Sequence, residues 1–189
     1  MLTEQSQGRE VPSIDDLAAI RAFNTRARAR HWAFTCFAAG DFERAELAAA
    51  FATWTDKAGA RRMPARSDIT ARTAKSWMPH MSLLERVDEE SGPRYRVRLH
   101  GSALTRYGGD STGRYLDEFV HGGRIHSYTA VYDLVLAQLV PLRVLSRYQA
   151  PDISYLIGES FVAPLSRPEA SPLVLSVTFT KPRTELSDR

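Results

Sequence analysis

The stretch Gly108–Tyr115, GGDSTGRY, comes close to a loop that binds phosphate. In G-x-x-x-x-G-K-[ST], glycine-rich backbone cradles phosphates, a lysine reaches them and a hydroxyl holds Mg²⁺. Here Arg114 stands for the lysine and Tyr115 for the Ser or Thr. Both chemical roles are altered, and the loop follows a helical turn instead of a strand. The glycines therefore read as turn residues that allow positive φ. Just upstream, Arg94, Arg96 and Arg98 recur at period 2. They could bind phosphates; a solvated strand face that discourages edge pairing accounts for them equally well. Arg26, Arg28, Arg30 and His31 with Trp32 form a basic and aromatic patch. Nucleic acid or an anionic membrane could use such a patch, but a solvated or partner-facing helix surface is the better reading.

The histidines are His31, His80, His100, His121 and His126. None falls in H-E-x-x-H or another zinc spacing, so no metal site is expected. GESF (158–161) is not G-x-S-x-G, because Phe161 replaces the last glycine. HGGR (121–124) resembles an oxyanion loop but has no matching nucleophile elbow. No catalytic set emerges, and the chain is not expected to be an enzyme.

A chain of 189 residues is most simply one domain with an extension. At this size folding buries roughly 70% of the unfolded surface, enough for a core without staples. Hydrophobic content of 43% with 25% charge fits a soluble globular protein. The single cysteine, Cys36, allows no internal disulfide and fits a reducing cytoplasm. The N-terminus MLTEQSQGRE has no apolar stretch of the signal-peptide kind. No apolar run approaches the ~20 residues that span a bilayer. A net charge of +3 argues against a dedicated nucleic-acid binder.

Residues 1–12 are polar and without period, and read as disordered. Ser13 with Asp16 has capping-box spacing. Ile20, Phe23, Ala27, His31, Phe34 and Ala38 then recur at helical spacing, which predicts one helix over 14–38, stopped by Gly40. Asp41 is placed to cap a second helix with the stripe Leu47, Phe51, Trp54 and Ala58. A short helix is expected over 70–77, ending before Pro79. Strands follow at 80–88 and 94–100, then helical turns at 102–107 and 115–120. A one-faced helix over 124–140 carries Ile125, Tyr128, Val131, Val135 and Leu139. Three closing strands, about 142–148, 153–163 and 173–180, have connections too short for crossovers and can be antiparallel neighbours. The class is α+β.

In that order of elements the chain resembles a PAS domain, and several stretches resemble small stand-alone bacterial PAS proteins. They are MPARSDI (63–69), WMPHMSLLERV (77–87), YRVRLHGSALTRYGGDSTGRYLDEF (95–119) and ESFVAPLS (159–166). The likeness covers roughly 45–180. It implies a five-stranded antiparallel sheet with helices on one face, the sensor domain being 41–180 with a tail at 181–189; the helical extension at 1–40 is a departure that the core domain does not need. It also implies signalling through a small molecule or a protein partner, without turnover. The alternative is an interaction or dimerisation module with no ligand. No output domain follows residue 180, so the output is expected to pass through another protein. No cofactor is named. Haem is disfavoured because His126, at the first turn of the long helix, should face outward. A flavin adduct is disfavoured because Cys36 lies in the extension.

The residues expected to line a pocket are Leu104, Tyr107 and Phe119 from the turns, Tyr128, Val131 and Val135 from the long helix, and Tyr155, Ile157 and Phe161 from a strand. A solid core would use the same side chains. Glu159 shares that strand face with Ile153, Tyr155, Ile157 and Phe161. An inward carboxylate there must be partnered. Arg114 or His126 is the expected partner, in a structural role first and a ligand-orienting one second. The alternative is a bulge at Gly158 that turns Glu159 outward. The apolar stripe of the first helix is expected to be buried in a homodimer. Neither nucleic acid nor membrane insertion is expected.

Overall fold

A computed structural model describes residues 13–107, 109–147, 156–168 and 170–182. The expected disordered start, Tyr155 and the tail beyond 182 lie outside the described residues. The elements are α1 (Ile14–Ala29), β1 (Phe34–Ala38), α2 (Ala45–Ala58), β2 (Met81–Glu89), β3 (Gly92–His100), α3 (Gly123–Gln138), β4 (Leu142–Arg147), β5 (Leu156–Arg167) and β6 (Ala170–Pro182). Short 3₁₀ turns occupy Arg66–Asp68, Met78–His80, Leu104–Tyr107 and Leu116–Glu118.

Helix α1 starts on the expected capping box. The Asp16 N–H donates to Ser13 Oγ at 3.1 Å, and the Ser13 N–H donates to Asp16 Oδ2 at 3.0 Å. It stops nine residues before the expected end, at Ala29 instead of residue 38. The Trp32 N–H donates to the Ala27 carbonyl at 2.8 Å and the His31 N–H to that of Arg28 at 3.1 Å. This is a Schellman stop with His31 in the left-handed position, φ 53°. Glycine is the usual residue there, so the sequence carries no obvious stop signal. Trp32 then folds back to within 5.9 Å of the Phe23 ring, the apolar contact such stops often include.

Freed from the helix, Phe34–Ala38 forms a strand. The sheet has six strands, in the order β1-β4-β5-β6-β2-β3, and every neighbouring pair is antiparallel. The five expected strands are all present. The sixth, β1, pairs with β4 from Phe34↔Ser146 to Ala38↔Leu142. On its outer side Asn24 of α1 does the work of a further strand. The Asn24 Nδ2 donates to the Cys36 carbonyl and the Cys36 N–H donates to Asn24 Oδ1, both at 2.8 Å.

Helices cover both faces of the sheet, not one. On the first face Ile20, Phe23 and Ala27 of α1 and Val131, Tyr132 and Val135 of α3 pack with Cys36, Leu84, Val144, Val162 and Val174. The stripe of α1 is thus buried within its own chain. On the second face Leu47, Ala50 and Trp54 of α2 pack with Leu83, Phe161, Ala163, Leu175 and Val177. The Trp54 indole N–H donates to the Pro164 carbonyl at 2.9 Å. Helix α2 begins at Ala45, and Asp41 does not cap it: Gly40 and Asp41 both take positive φ and turn the chain toward it. The expected helix over 70–77 is a series of turns, closed by the 3₁₀ turn that holds Pro79.

The GGDSTGRY loop closes the other sheet edge. The Val97 N–H donates to the Arg114 carbonyl at 2.9 Å and the Gly113 N–H to that of Val97 at 2.7 Å. The loop runs beside β3 as a partial strand, with Gly113 at φ 86°. Arg94 and Arg96 lie over the Tyr115 ring at 3.8 and 4.9 Å, and Arg94 grips Asp117 through two bonds of 2.8 and 2.7 Å.

Where β3 ends, Gly101 lies against the turn at Pro79. A Cβ at Gly101 would come within 2.3 Å of the Pro79 carbonyl oxygen. That oxygen accepts from the Ala103 N–H, and the Gly101 N–H donates to the Met81 carbonyl, so neither backbone can yield cheaply. Gly101→Ala is expected to lower stability by about 1–3 kcal/mol or more, read as the shift of a urea midpoint. An unchanged midpoint would mean that the two turns separate easily.

Candidate functional site

The Schellman stop has a second consequence. It places Arg30, His31 and Trp32 opposite the first turn of α3 and the end of β4. Between them lies a cleft of about 470 Å³, also lined by Ala33, Phe34, Gly123, Arg124, His126, Ser127, Tyr128, Ser146 and Arg147. That volume falls within the range typical of small-molecule sites. Its lining carries three arginines and two histidines, and no carboxylate. Its apolar wall is aromatic. Phe34 and Tyr128 meet edge to face at 4.8 Å, and the guanidinium groups of Arg26 and Arg30 lie 5.4 and 5.7 Å from the Trp32 ring. The first turn of α3 has Gly122 as its N-cap, with no side-chain cap bond.

A second hollow, about 230 Å³, lies beside β3 and α3. Four of its polar side chains are engaged in pairs. The Tyr95 hydroxyl donates to Asp133 Oδ1 at 2.6 Å, and Arg94 holds Asp117. Burial, and then the bond to Asp133, push the Tyr95 phenol above its ordinary range.

Glu159 is buried, on the central strand β5. Its partner is Arg143, neither Arg114 nor His126. The Arg143 Nε donates to Glu159 Oε1 at 2.6 Å. The backbone N–H groups of Glu43 and Arg44, just before α2, donate to Oε1 and Oε2 at 3.1 and 3.3 Å. Glu43 also reaches Arg143, at 3.5 Å, and pairs with Lys181. Arg114 instead pairs with Glu118, and His126 is exposed at the cleft. In the strand register Gly158 pairs in order with Ser146, without a bulge. Phe179, opposite Glu159, is stacked on His80 at 3.8 Å with the Arg44 guanidinium 4.8 Å from its ring. Burial holds the His80 imidazole below its usual range.

The expected lining residues are not brought together. Val131 and Val135 are buried on the α3 face, with Phe119 and Tyr128 packed against them. Phe161 is buried on the α2 face beside Phe42 and Phe51, at 5.9 and 5.8 Å. Ile157 and Glu159, four and two residues earlier on β5, share that same face, so the sheet divides the set. Leu104 is half-buried in its turn, which also holds Tyr107. Tyr155 lies outside the described residues. Of the set, Tyr128 alone lines the cleft. Arg30, His31 and Trp32 were visible as a basic and aromatic patch, but their role depended on the helix stop. Phe34, Arg124 and Arg147 carried no signal of their own. Among the described residues no three His, Cys, Asp or Glu form a metal-binding group. Cys36 is buried beneath α1, which pushes its thiol far above its usual range.

A family model described as a PAS domain matches residues 42–177. No curated protein and no solved structure matches the chain. Helices α2 and α3, strands β2 to β5 and the first part of β6 lie within the matched range; α1 and β1 precede it. The cleft therefore joins a wall from outside that range, Arg30–Phe34, to one from inside it.

The buried pair makes a test of its own. Removing one member leaves the other charged and unpaired in the interior, which is costly. Glu159→Gln and Arg143→Met are each expected to lose on the order of 3 kcal/mol in urea unfolding. The double variant is expected to lose clearly less than their sum. Additive losses would show that the two side chains act independently.

Proposed function

The chain belongs to the PAS domain family, and from that premise we propose that it is a sensor whose input is a small molecule held in the cleft between α1–β1 and α3–β4. The observation that carries this reading is that the cleft is shared by the matched domain and the segment before it. A ligand bridging Trp32 and Tyr128 would fasten that segment to the domain. The surface formed by α1 and β1 would then report occupancy to a protein partner, and the module performs no chemical step. A cytoplasmic setting is part of the proposal, on the strength of a single cysteine. Among the described residues no helix is long and apolar enough to cross a membrane.

Self-association is part of the proposal, but on a different surface from the α1 stripe, which is spent inside the chain. Ile14, 81% exposed, and Leu17 on α1 with Phe37 on β1 remain available for a homodimer contact.

The test uses the full chain purified under native conditions. Native mass spectrometry is expected to show a bound small molecule, or a metabolite extract to raise the melting temperature. Trp32→Leu, which removes an aromatic wall, is expected to weaken that binding at least about tenfold, or about 1.4 kcal/mol. An apo mass with no stabilisation by the extract would overturn the ligand-sensing reading and leave a protein-interaction module. Binding untouched by Trp32→Leu would place the input elsewhere.

A further inference from the structure

We infer that the cleft takes a planar aromatic ring bearing a phosphate or a carboxylate. This rests on the reading of the cleft as the input site and adds the chemistry of the ligand.

Arg30 and Arg147 of the cleft differ from the paired arginines of the sheet and its edges. Arg94, Arg114, Arg143 and Arg167 each hold a carboxylate. Arg30 and Arg147, both lining the cleft, hold none among the described residues, and no acid lines it. Like charges gathered on one concave surface repel, and a bound anion relieves that repulsion. Guanidinium groups favour carboxylate and phosphate, which accept two parallel N–H bonds. The rest of the wall selects against a bare ion. Trp32, Phe34 and Tyr128 offer flat apolar surface, and the smaller Ala33, Gly123 and Ser127 leave room beside it. Aromatic faces favour a planar partner by offset or edge-to-face contact. A free phosphate would fill little of about 470 Å³ and leave the rings wet.

A polymer suits the site less well. The cations line a bounded hollow, not a stripe. The two outer strands are already covered, β1 by Asn24 and β3 by the loop at Gly113–Arg114.

Isothermal titration of the full chain with five probes tests this. Adenosine monophosphate and indole-3-carboxylate are the aromatic anions. Adenosine and indole-3-carboxamide are their neutral counterparts, and inorganic phosphate is the anion without a ring. At least one aromatic anion is expected to bind, with its neutral counterpart and inorganic phosphate each at least about tenfold weaker. Which aromatic anion binds distinguishes phosphate from carboxylate. Arg30→Gln and Arg147→Gln are expected to weaken it by about tenfold each, the scale of one charge-assisted contact. Their melting temperatures should stay at the wild-type value, and Arg98→Gln, remote from the cleft, should bind as wild type.

Three results would overturn the inference: no probe binds, the neutral counterpart binds as tightly as the anion, or inorganic phosphate alone accounts for the affinity. Binding unchanged in both arginine variants would do the same. If a bound molecule sensitive to Trp32→Leu is found while the aromatic anions fail, the ligand chemistry falls and the sensing reading stands. If both experiments fail, the cleft is not the input site.

Discussion

The arrangement turns on a carboxylate where water cannot reach. Strand β5 is covered on both faces, so Glu159 is taken out of solvent near the middle of the molecule. An ionised carboxylate survives there only if charge and N–H donors surround it. Arg143 supplies the charge from β4, and the backbone of residues 43 and 44 supplies two donors. Those donors belong to the connection that leaves β1 and crosses to the opposite face, where α2 begins. One buried group therefore fixes three things at once: the pairing of β4 with β5, the path of the β1–α2 connection, and the start of α2. Strand β1 is held between this connection and the helix stop that precedes it, and the wall of the cleft is held with it.

Both margins of the sheet are closed by means other than another strand. At β1 a single amide side chain satisfies the outward N–H and C=O of Cys36. At β3 a glycine-bearing loop lends two backbone bonds, and a tyrosine between two arginines pins it. Unpaired strand edges invite pairing with other chains. The chain thus removes its edges as contact surfaces and leaves the cleft and the outer side of α1–β1 as its distinctive features. Gly113, one of the glycines that resembled a phosphate loop, serves this closure.

The legible parts of the fold were those written in strong local patterns. The capping box at Ser13 and Asp16, the alternation from Tyr95 to Leu99 and the one-faced helix α3 all sit within a few residues of expectation. The five expected strands and their antiparallel pairing followed from short connections. The misplaced end of α1 has one cause: a period-2 segment that mimics a helical stripe. His31, Phe34 and Ala38 fall at helical spacing after Ala27 by coincidence, and a histidine stands where a helix stop normally shows glycine. That error concealed β1, the burial of α1 within the chain, and the cleft. The expected pocket residues divide between the two faces for a different reason. Residues of one strand face and one helix face were assumed to meet, but β5 is buried on both sides, so burial alone could not say which side Phe161 and Glu159 took. Glu159 was legible as an anomaly because it is the only acid in an apolar strand. Its partner was not, because Arg143 lies on a neighbouring strand whose register only the assembled sheet provides.

A sensor needs two arrangements whose balance a ligand can shift, and the shift equals the difference in its affinity for them. The segment before the matched domain is suited to be the moving part. It is joined to the rest by a short strand pairing, by the bond from the Arg147 N–H to the Ala33 carbonyl and by the apolar face of α1. Residues Arg30–Phe34 are at once the link between α1 and β1 and one wall of the cleft. A molecule touching Trp32 on one side and Tyr128 on the other gains both contacts only when α1 and β1 are docked. It loses one of them if they swing away. The differential affinity is therefore built into the location of the cleft, without any change inside the packed core. By contrast, a ligand buried beneath α3 would have to displace the close packing of Val131, Val135 and Tyr95, where each lost contact counts against binding. The signal then emerges where the ligand acts, on the outer surface of α1 and β1.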